Sequence, residues 1–287
     1  MKNVRNLMLK RLENQVEEEQ QDVVEEAKQQ IGEGELMQMI MDEINSKTLT
    51  VHGEFNDDMV AHVKEFADFA IQKDFTTKQI EAVVETFKML AEKKEEASID
   101  FLLKCSRLPL KHPKIFDNFK FEDVKGRDVE RLKSLKTLTA LHSHKNIAFI
   151  GPAGTGKTHL AMAFAYECCQ KMMKAYFIKM TELNDLFNEA RKFDKISRVM
   201  TSLVKPSCLV IDEVGHCVFD AENTRLFFDL VDRRYNKEGS YNMVFTSNKQ
   251  PISWRQNFTE EDSLLCALDR IFDDALIFNL DGESHRG

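Results

Sequence analysis

The chain has 287 residues, enough for one large domain or two smaller ones, and its hydrophobic content of 43% supports a buried core. No apolar run approaches the ~20 residues of a membrane span, and residues 1–11 contain no apolar segment of signal-peptide length, so we expect a cytoplasmic protein that does not enter a membrane. The formal net charge of −8 is uneven, because residues 1–100 carry 12 basic and 23 acidic residues, a net of −11, which leaves +3 for residues 101–287.

The first hundred residues predict helices. Apolar side chains recur at helical spacing over residues 12–31, 36–44, 56–70 and 76–90. We assign residues 1–102 to an acidic helical N-terminal region, either a small bundle or an arm that docks a partner, and its negative charge argues against direct contact with DNA. It contains no catalytic constellation of residues.

Residues 103–125 are predicted to be a linker, since they hold Pro109 and Pro113 and the aromatic residues Phe116, Phe119 and Phe121. From residue 126 to 287, strand-like and helix-like apolar runs alternate, which predicts an α/β domain with a parallel sheet and helices on both faces. The predicted strands cover residues 146–150, 175–179, 207–211, 242–246 and 275–279.

The run after the first predicted strand fits G-x-x-x-x-G-K-[ST], the phosphate-binding loop of P-loop NTPases. Its glycines permit backbone conformations in which N–H groups converge on phosphate oxygens, and the following helix adds its positive end. Lys157 is predicted to reach the β- and γ-phosphates, and the Thr158 hydroxyl to bind Mg²⁺. The predicted nucleotide-binding residues are Gly151, Pro152, Ala153, Gly154, Thr155, Gly156, Lys157, Thr158 and His159.

Two later strands end in polar residues at the same edge of the predicted sheet, where ligands bind in such folds. After 207–211 come Asp212, predicted to hold Mg²⁺, and Glu213, predicted to accept a proton from the attacking water. Asn248, after the fourth strand, is predicted to orient that water or to touch the γ-phosphate. The run 248–251 lacks the Asp of the guanine-reading motif Asn-Lys-x-Asp, which favours ATP over GTP.

A group of basic residues lies between the second and third predicted strands. Their spacing predicts one helical stripe that neutralises DNA phosphates, and the alternative is an ordinary solvated helix surface. The residues are Arg191, Lys192, Lys195, Arg198 and Lys205.

Several motifs in order resemble the IstB-like/DnaC-like AAA+ ATPases, from about Leu103 to the end of the chain. They are residues 151–160, 209–215 and 246–248, Trp254 with Phe258, Leu268-Asp269-Arg270 and residues 282–286. The last two elements are more similar to the insertion-sequence helper IstB than to typical AAA+ proteins. His216-Cys217 depart from the usual aromatic-containing turn after the acidic pair.

The resemblance implies roles that spacing alone does not give. By spacing, Arg270 is a surface ion-pair residue; by resemblance it reaches the nucleotide of an adjacent subunit, so a homo-oligomer would hold ATP at its subunit interfaces. Arg286 matches a second sensor of the nucleotide, and the segment of Phe119 and Phe121 matches a linker that lines the adenine pocket.

Three functions follow as alternatives. The first is an ATP-hydrolysing assembly factor that acts on DNA with a transposase. The second is a loader of a replicative helicase, with the acidic region docked on a basic face of the helicase. The third is a scaffold whose subunits ATP merely joins. A small-molecule kinase is disfavoured, because Glu213 and Arg270 suit hydrolysis at a subunit interface.

Overall fold

The computed structural model describes residue 69 and residues 72–73, 77–124, 128–259 and 261–281. The chain divides into two compact units, Met1–Glu95 and Glu96–Gly287. The helices predicted over residues 12–31, 36–44 and 56–70 lie outside the described residues, except at position 69.

Helix α1 covers Thr77–Cys105. It is longer than the predicted 76–90, because residues 91–105 consist mainly of good helix formers without glycine or proline. The other α-helices are α2 (Val129–Ser134), α3 (Thr139–His142), α4 (Lys157–Gln170), α5 (Met180–Lys192), α6 (Ile196–Val204), α7 (Ala221–Tyr235) and α8 (Glu261–Phe272). Short 3-10 helices cover Phe116–Asn118, Phe121–Asp123, Leu135–Thr137 and Pro251–Asn257.

The strands of the described residues form one parallel sheet in the order β2-β3-β4-β1-β5. Each predicted strand is confirmed to within one residue at either end, and the sheet confirms the predicted α/β class. The strands are β1 (Ile147–Ile150), β2 (Ala175–Lys179), β3 (Cys208–Asp212), β4 (Asn242–Ser247) and β5 (Leu276–Asn279).

Both faces of the central strands β1, β3 and β4 are buried, as their near-continuous apolar sequences require, whereas the edge strand β5 exposes Ile277. Phe149, Val210 and Val244 point to the face covered by α4, where Leu160 and Phe164 pack against them. Their chain neighbours, such as Ile150 and Ile211, point to the other face and pack with the side chains of α5 to α8.

The chain leaves β1, crosses to the far edge at β2 and returns through β3 and β4. Because the strands are parallel, the segments that follow β1, β3 and β4 all lie at the carboxyl edge of the sheet. No helix among the described residues is long and apolar enough to span a membrane.

Candidate functional site

The phosphate loop connects β1 to α4 at the carboxyl edge of the sheet. Its first residue, Gly151, donates its N–H to the Ser247 carbonyl at 3.1 Å. A Cβ on Gly151 would lie 2.2 Å from the carbonyl oxygen of Leu280. Only glycine therefore fits here, because the loop is held between the ends of β4 and β5.

Gly156 closes the loop in a left-handed conformation, with a φ of 86°. A Cβ there would lie 2.6 Å from the Phe119 ring. Phe119 also packs edge-on against Phe121 and His159, with ring centroids 4.9 and 5.2 Å apart. The aromatic segment predicted as a linker is thus in direct contact with the phosphate loop.

Helix α4 begins at Lys157, and its first N–H groups have no partner within the helix, which makes its start a natural anion site. The Lys157 ammonium donates to the Pro152 carbonyl at 2.5 Å. The Lys157 ammonium group therefore lies against the loop that is predicted to hold the phosphates of the nucleotide.

His159 connects α4 to the start of the 3-10 helix Phe116–Asn118. Its Nε2 lies 2.9 Å from the Ile115 carbonyl oxygen, and Nε2 carries the proton because a carbonyl only accepts. Burial of the ring lowers the pKa of His159 below its ordinary value, and the nearby Lys114 acts in the same direction, while the bond to Ile115 opposes them.

The predicted metal ligands lie together. Asp212 is 1% exposed, and its Oδ1 accepts hydrogen bonds from the Thr158 hydroxyl at 2.8 Å and the Thr246 hydroxyl at 2.5 Å. A carboxylate beside a hydroxyl at the end of the phosphate loop is the kind of oxygen set that Mg²⁺ prefers. The residues present fit a nucleotide-bound magnesium ion.

Glu213 follows Asp212 with a left-handed φ of 59°, uncommon for a residue other than glycine. Its carboxylate forms an ion pair with Lys179 at the end of β2, with 3.0 Å between Nζ and Oε2. The hydrogen bond to Glu213 raises the pKa of Lys179. In this conformation the negative charge of Glu213, the predicted base, is therefore balanced by the Lys179 ammonium group.

Several of these groups border one cleft of about 420 Å³. The structure brings Lys157, Glu213 and Asn248 to its walls, as predicted, together with His216 from the turn after Glu213. The loop contributes Ala153, Gly154, Gly156, Thr158 and His159, and the end of β4 contributes Thr246 and Ser247.

Arg270 lies elsewhere. Its guanidinium pairs with Asp232, with 3.1 Å between Nη2 and Oδ1, and stacks on Phe228 at 5.1 Å from the ring centroid. It borders a second cavity, of about 380 Å³, shared with Lys145 and Asn146 just before β1. Because these residues precede a parallel strand, this cavity opens at the amino edge of the sheet, opposite the phosphate loop.

The prediction of a single basic stripe is wrong, because the residues occupy two helices. Arg191 and Lys192 end α5, whereas Arg198 lies on α6, with Lys195 and Lys205 at its two ends. Arg191 is moreover paired with Asp220 and Glu222. Lys195, Arg198 and Lys205, at spacings of three and seven, remain on one exposed helix face.

An exposed aromatic residue lies next to this face. Phe193 is 58% exposed, and the ammonium groups of Lys192 and Lys195 each lie 5.5 Å from its ring centroid. Within the described part of the chain, Lys192, Lys195, Arg198 and Lys205 form no ion pair.

Arg286 lies outside the described residues.

Sequence reasoning missed Lys179 and the hydroxyl of Thr246. A lysine that ends a strand is common on protein surfaces, and nothing in its sequence context indicates an acidic partner 34 residues away. Thr246 lay within a run already singled out for Asn248, but only the sheet order shows that β4 lies beside β3.

Comparison with known proteins identifies related sequences. The model of the IstB-like ATP binding protein family matches residues 56–287. An insertion sequence IS5376 protein from Geobacillus stearothermophilus is 35% identical over 196 residues, 67% of this chain and 75% of the relative. An insertion sequence IS232 protein from Bacillus thuringiensis subsp. berliner is 29% identical over 228 residues, 79% of this chain and 88% of the relative. The names of both relatives ascribe ATP binding to them.

A solved structure shows a weaker likeness. The crystal structure of the DnaC helicase loader has a TM-score of 0.49 and 16% sequence identity, covering 58% of this chain and 97% of that chain. The assignment to a family therefore rests on the family match, and the assignment of the fold rests on the sheet itself.

Proposed function

The chain belongs to the IstB-like ATP-binding protein family, and from that premise we propose that it is an AAA+ ATPase that hydrolyses ATP with Mg²⁺ and acts on DNA in transposition. The observation that carries the proposal is the shared cleft of Lys157, Glu213 and Asn248, at whose walls Thr158 meets Asp212. The names of the two relatives place them with insertion sequences, which favours transposition as the setting.

The cleft suggests how the residues divide the work. The loop amides and Lys157 would hold the β- and γ-phosphates, with the Lys157 ammonium exchanging the Pro152 carbonyl for phosphate oxygens. Thr158 and Asp212 would hold the magnesium ion, which when bound neutralises charge on the phosphates. Glu213 would take the proton of the attacking water once its carboxylate leaves Lys179.

Arg270 supports a multi-subunit enzyme. It borders a cavity at the edge of the sheet opposite the loop, so it is poorly placed to reach the phosphates bound by its own chain. A head-to-tail contact would bring the amino edge of one subunit to the carboxyl edge of the next. In that arrangement Arg270 would complete the site of a neighbour and stabilise the charge that develops on the phosphates.

The DNA contact is proposed to run along α6, from its junction with α5 to its C-terminal end. Lys192, Lys195, Arg198 and Lys205 offer positive charge that no carboxylate of the described residues neutralises. Phosphate contacts of this kind act additively and weaken with salt. An oligomer would repeat the surface, so a weak contact per subunit suffices.

Two variants test the proposal against a non-hydrolysing scaffold. We expect Lys157→Ala to lose both nucleotide binding and turnover, and Glu213→Gln to bind ATP but not to release phosphate. Steady-state phosphate release and the lifetime of the assembly on duplex DNA are measured together. A scaffold would form and dissolve normally with Glu213→Gln, and that result would overturn hydrolysis as the working step.

A further inference from the structure

The Thr246 hydroxyl contacts both residues of the acidic pair, Asp212 through its side chain and Glu213 through its backbone. Thr246 is 1% exposed near the carboxyl end of β4, beside the end of β3. Its Oγ1 donates to Asp212 Oδ1 at 2.5 Å and accepts the Glu213 N–H at 2.9 Å. One hydroxyl therefore links the side chain of one carboxylate to the backbone of the next.

The two bonds fix each other. A hydroxyl has one proton to donate, and the Glu213 N–H occupies a lone pair of Oγ1, so the proton is directed to Asp212. Thr158 donates to the same Oδ1. Among the described residues no hydrogen bond reaches Oδ2 of Asp212, which leaves that oxygen with its acceptor capacity unused.

Thr246 also supports the unusual backbone of the acidic pair. Glu213 holds a φ of 59°, a conformation that persists only where the surroundings over-determine it. The Thr246 hydroxyl accepts a hydrogen bond from the N–H of Glu213, and the Thr246 backbone carbonyl accepts one from the N–H of Val214 at 2.8 Å. The residue that orients Asp212 thus also sets the direction in which Glu213 leaves the strand.

We propose that Thr246 is a positioning residue of the ATPase, which presents Asp212 to the nucleotide-bound cation and aims Glu213 into the cleft. This inference rests on the proposed function. Partners that orient metal-ligating carboxylates typically change metal affinity or activity by 10- to 100-fold when removed. A purely structural threonine would change stability and leave the metal affinity of the nucleotide complex unaltered.

The test is a pair of substitutions that keep or remove the hydroxyl. Thr246→Val keeps the branched shape, and Thr246→Ser keeps the hydroxyl. We expect Thr246→Val to weaken Mn²⁺ binding to the protein–ADP complex, measured by electron paramagnetic resonance, and to lower kcat, each by about 10-fold or more. Metal-free ADP affinity should stay unchanged, and serine should restore both quantities.

Thr224 is a matched control, because it is equally buried and its hydroxyl also donates once and accepts once, to the Asp220 carbonyl at 2.8 Å and from the Thr259 N–H at 3.4 Å. Thr224→Val should leave Mn²⁺ affinity at the wild-type value. If a valine variant does not fold, Thr246→Ala and Thr224→Ala replace the pair.

The outcomes separate this inference from the proposed function. Wild-type metal affinity and kcat in folded Thr246→Val, or failure of serine to restore them, would overturn the role of Thr246 alone. A wild-type chain that binds no metal with ADP and turns over no ATP would overturn both.

Discussion

At the scale of single residues, the phosphate loop depends on a position where a side chain has no room. We expect Gly151→Ala to weaken ATP affinity by at least about 10-fold, because its Cβ would collide with backbone rather than with a movable side chain. Gly239→Ala is the control, since that glycine also has a positive φ, of 80°, yet no atom lies within 4 Å of the added Cβ. Equal nucleotide affinity in the two variants would contradict a closely packed loop.

His159 predicts a pH dependence. Burial lowers its pKa below the ordinary value of 6.5, so the unfolded chain binds a proton more readily than the folded chain. Stability therefore rises with pH through the window between the lowered folded pKa and 6.5, and it is lost as pH falls from 6.5 through that window. We expect the dependence of melting temperature on pH between about 5 and 7 to be shallower in His159→Gln. An unchanged slope would remove His159 from this role.

At the scale of elements, the central strands β1, β3 and β4 were predictable because both of their faces are buried. Runs such as residues 207–211 are apolar without interruption, and length and flanking residues then fix them as strands. The 3-10 helix Phe116–Asn118 was not predictable, because it depends on non-local contacts such as that of His159 with Ile115. The break between α5 and α6 was missed too, since Asp194 at that turn adopts a φ of 51° without a glycine to mark it.

The connection from α6 to β3 is held by one buried arginine of α7. Arg234 is 1% exposed and donates to the carbonyls of Leu203, Val204, Pro206, Ser207 and Asn242 at 2.6 to 3.1 Å. Burial lowers the pKa of Arg234 to about 10, which still leaves it charged at neutral pH. The hydrogen bonds of Arg234, which we call the Arg234 clamp, join α7 to the segment that carries Lys205.

Substitution of Arg234 should lower the free energy of unfolding far more than substitution of its chain neighbour Arg233. We expect Arg234→Met to lower the free energy of unfolding by about 3 kcal/mol or more, because several buried carbonyls lose their donor. Arg233→Met, which removes only an exposed pair with Asp229 at 2.8 Å, should cost less than about 1 kcal/mol. Urea denaturation measures both, and similar midpoints would contradict the clamp.

At the scale of the whole molecule, the two cavities at opposite edges of the sheet suggest a site shared between subunits. The sequence placed Lys157, Asp212, Glu213 and Asn248 correctly at one edge, because each follows or ends a predicted strand. It did not place Arg270 by spacing, since its position depends on how α8 packs against α7.

Mixed assemblies test the sharing. We expect Lys157→Ala and Arg270→Ala each to be inactive alone, since one lacks the loop cation and the other lacks the arginine given to its neighbour. A mixture should recover activity, up to about a quarter of the wild-type rate for random mixing, because some interfaces combine an intact loop with an intact arginine. Mixed assemblies that form but stay inactive would contradict a site in trans.

Titration calorimetry of a non-hydrolysable ATP analogue into the folded chain, with and without magnesium, measures most directly whether the loop and the acidic pair form a nucleotide site. We predict saturable binding that magnesium strengthens, and its loss in Lys157→Ala at an unchanged melting temperature. No heat of binding in the folded wild-type chain, or undiminished binding by Lys157→Ala, would contradict the assignment.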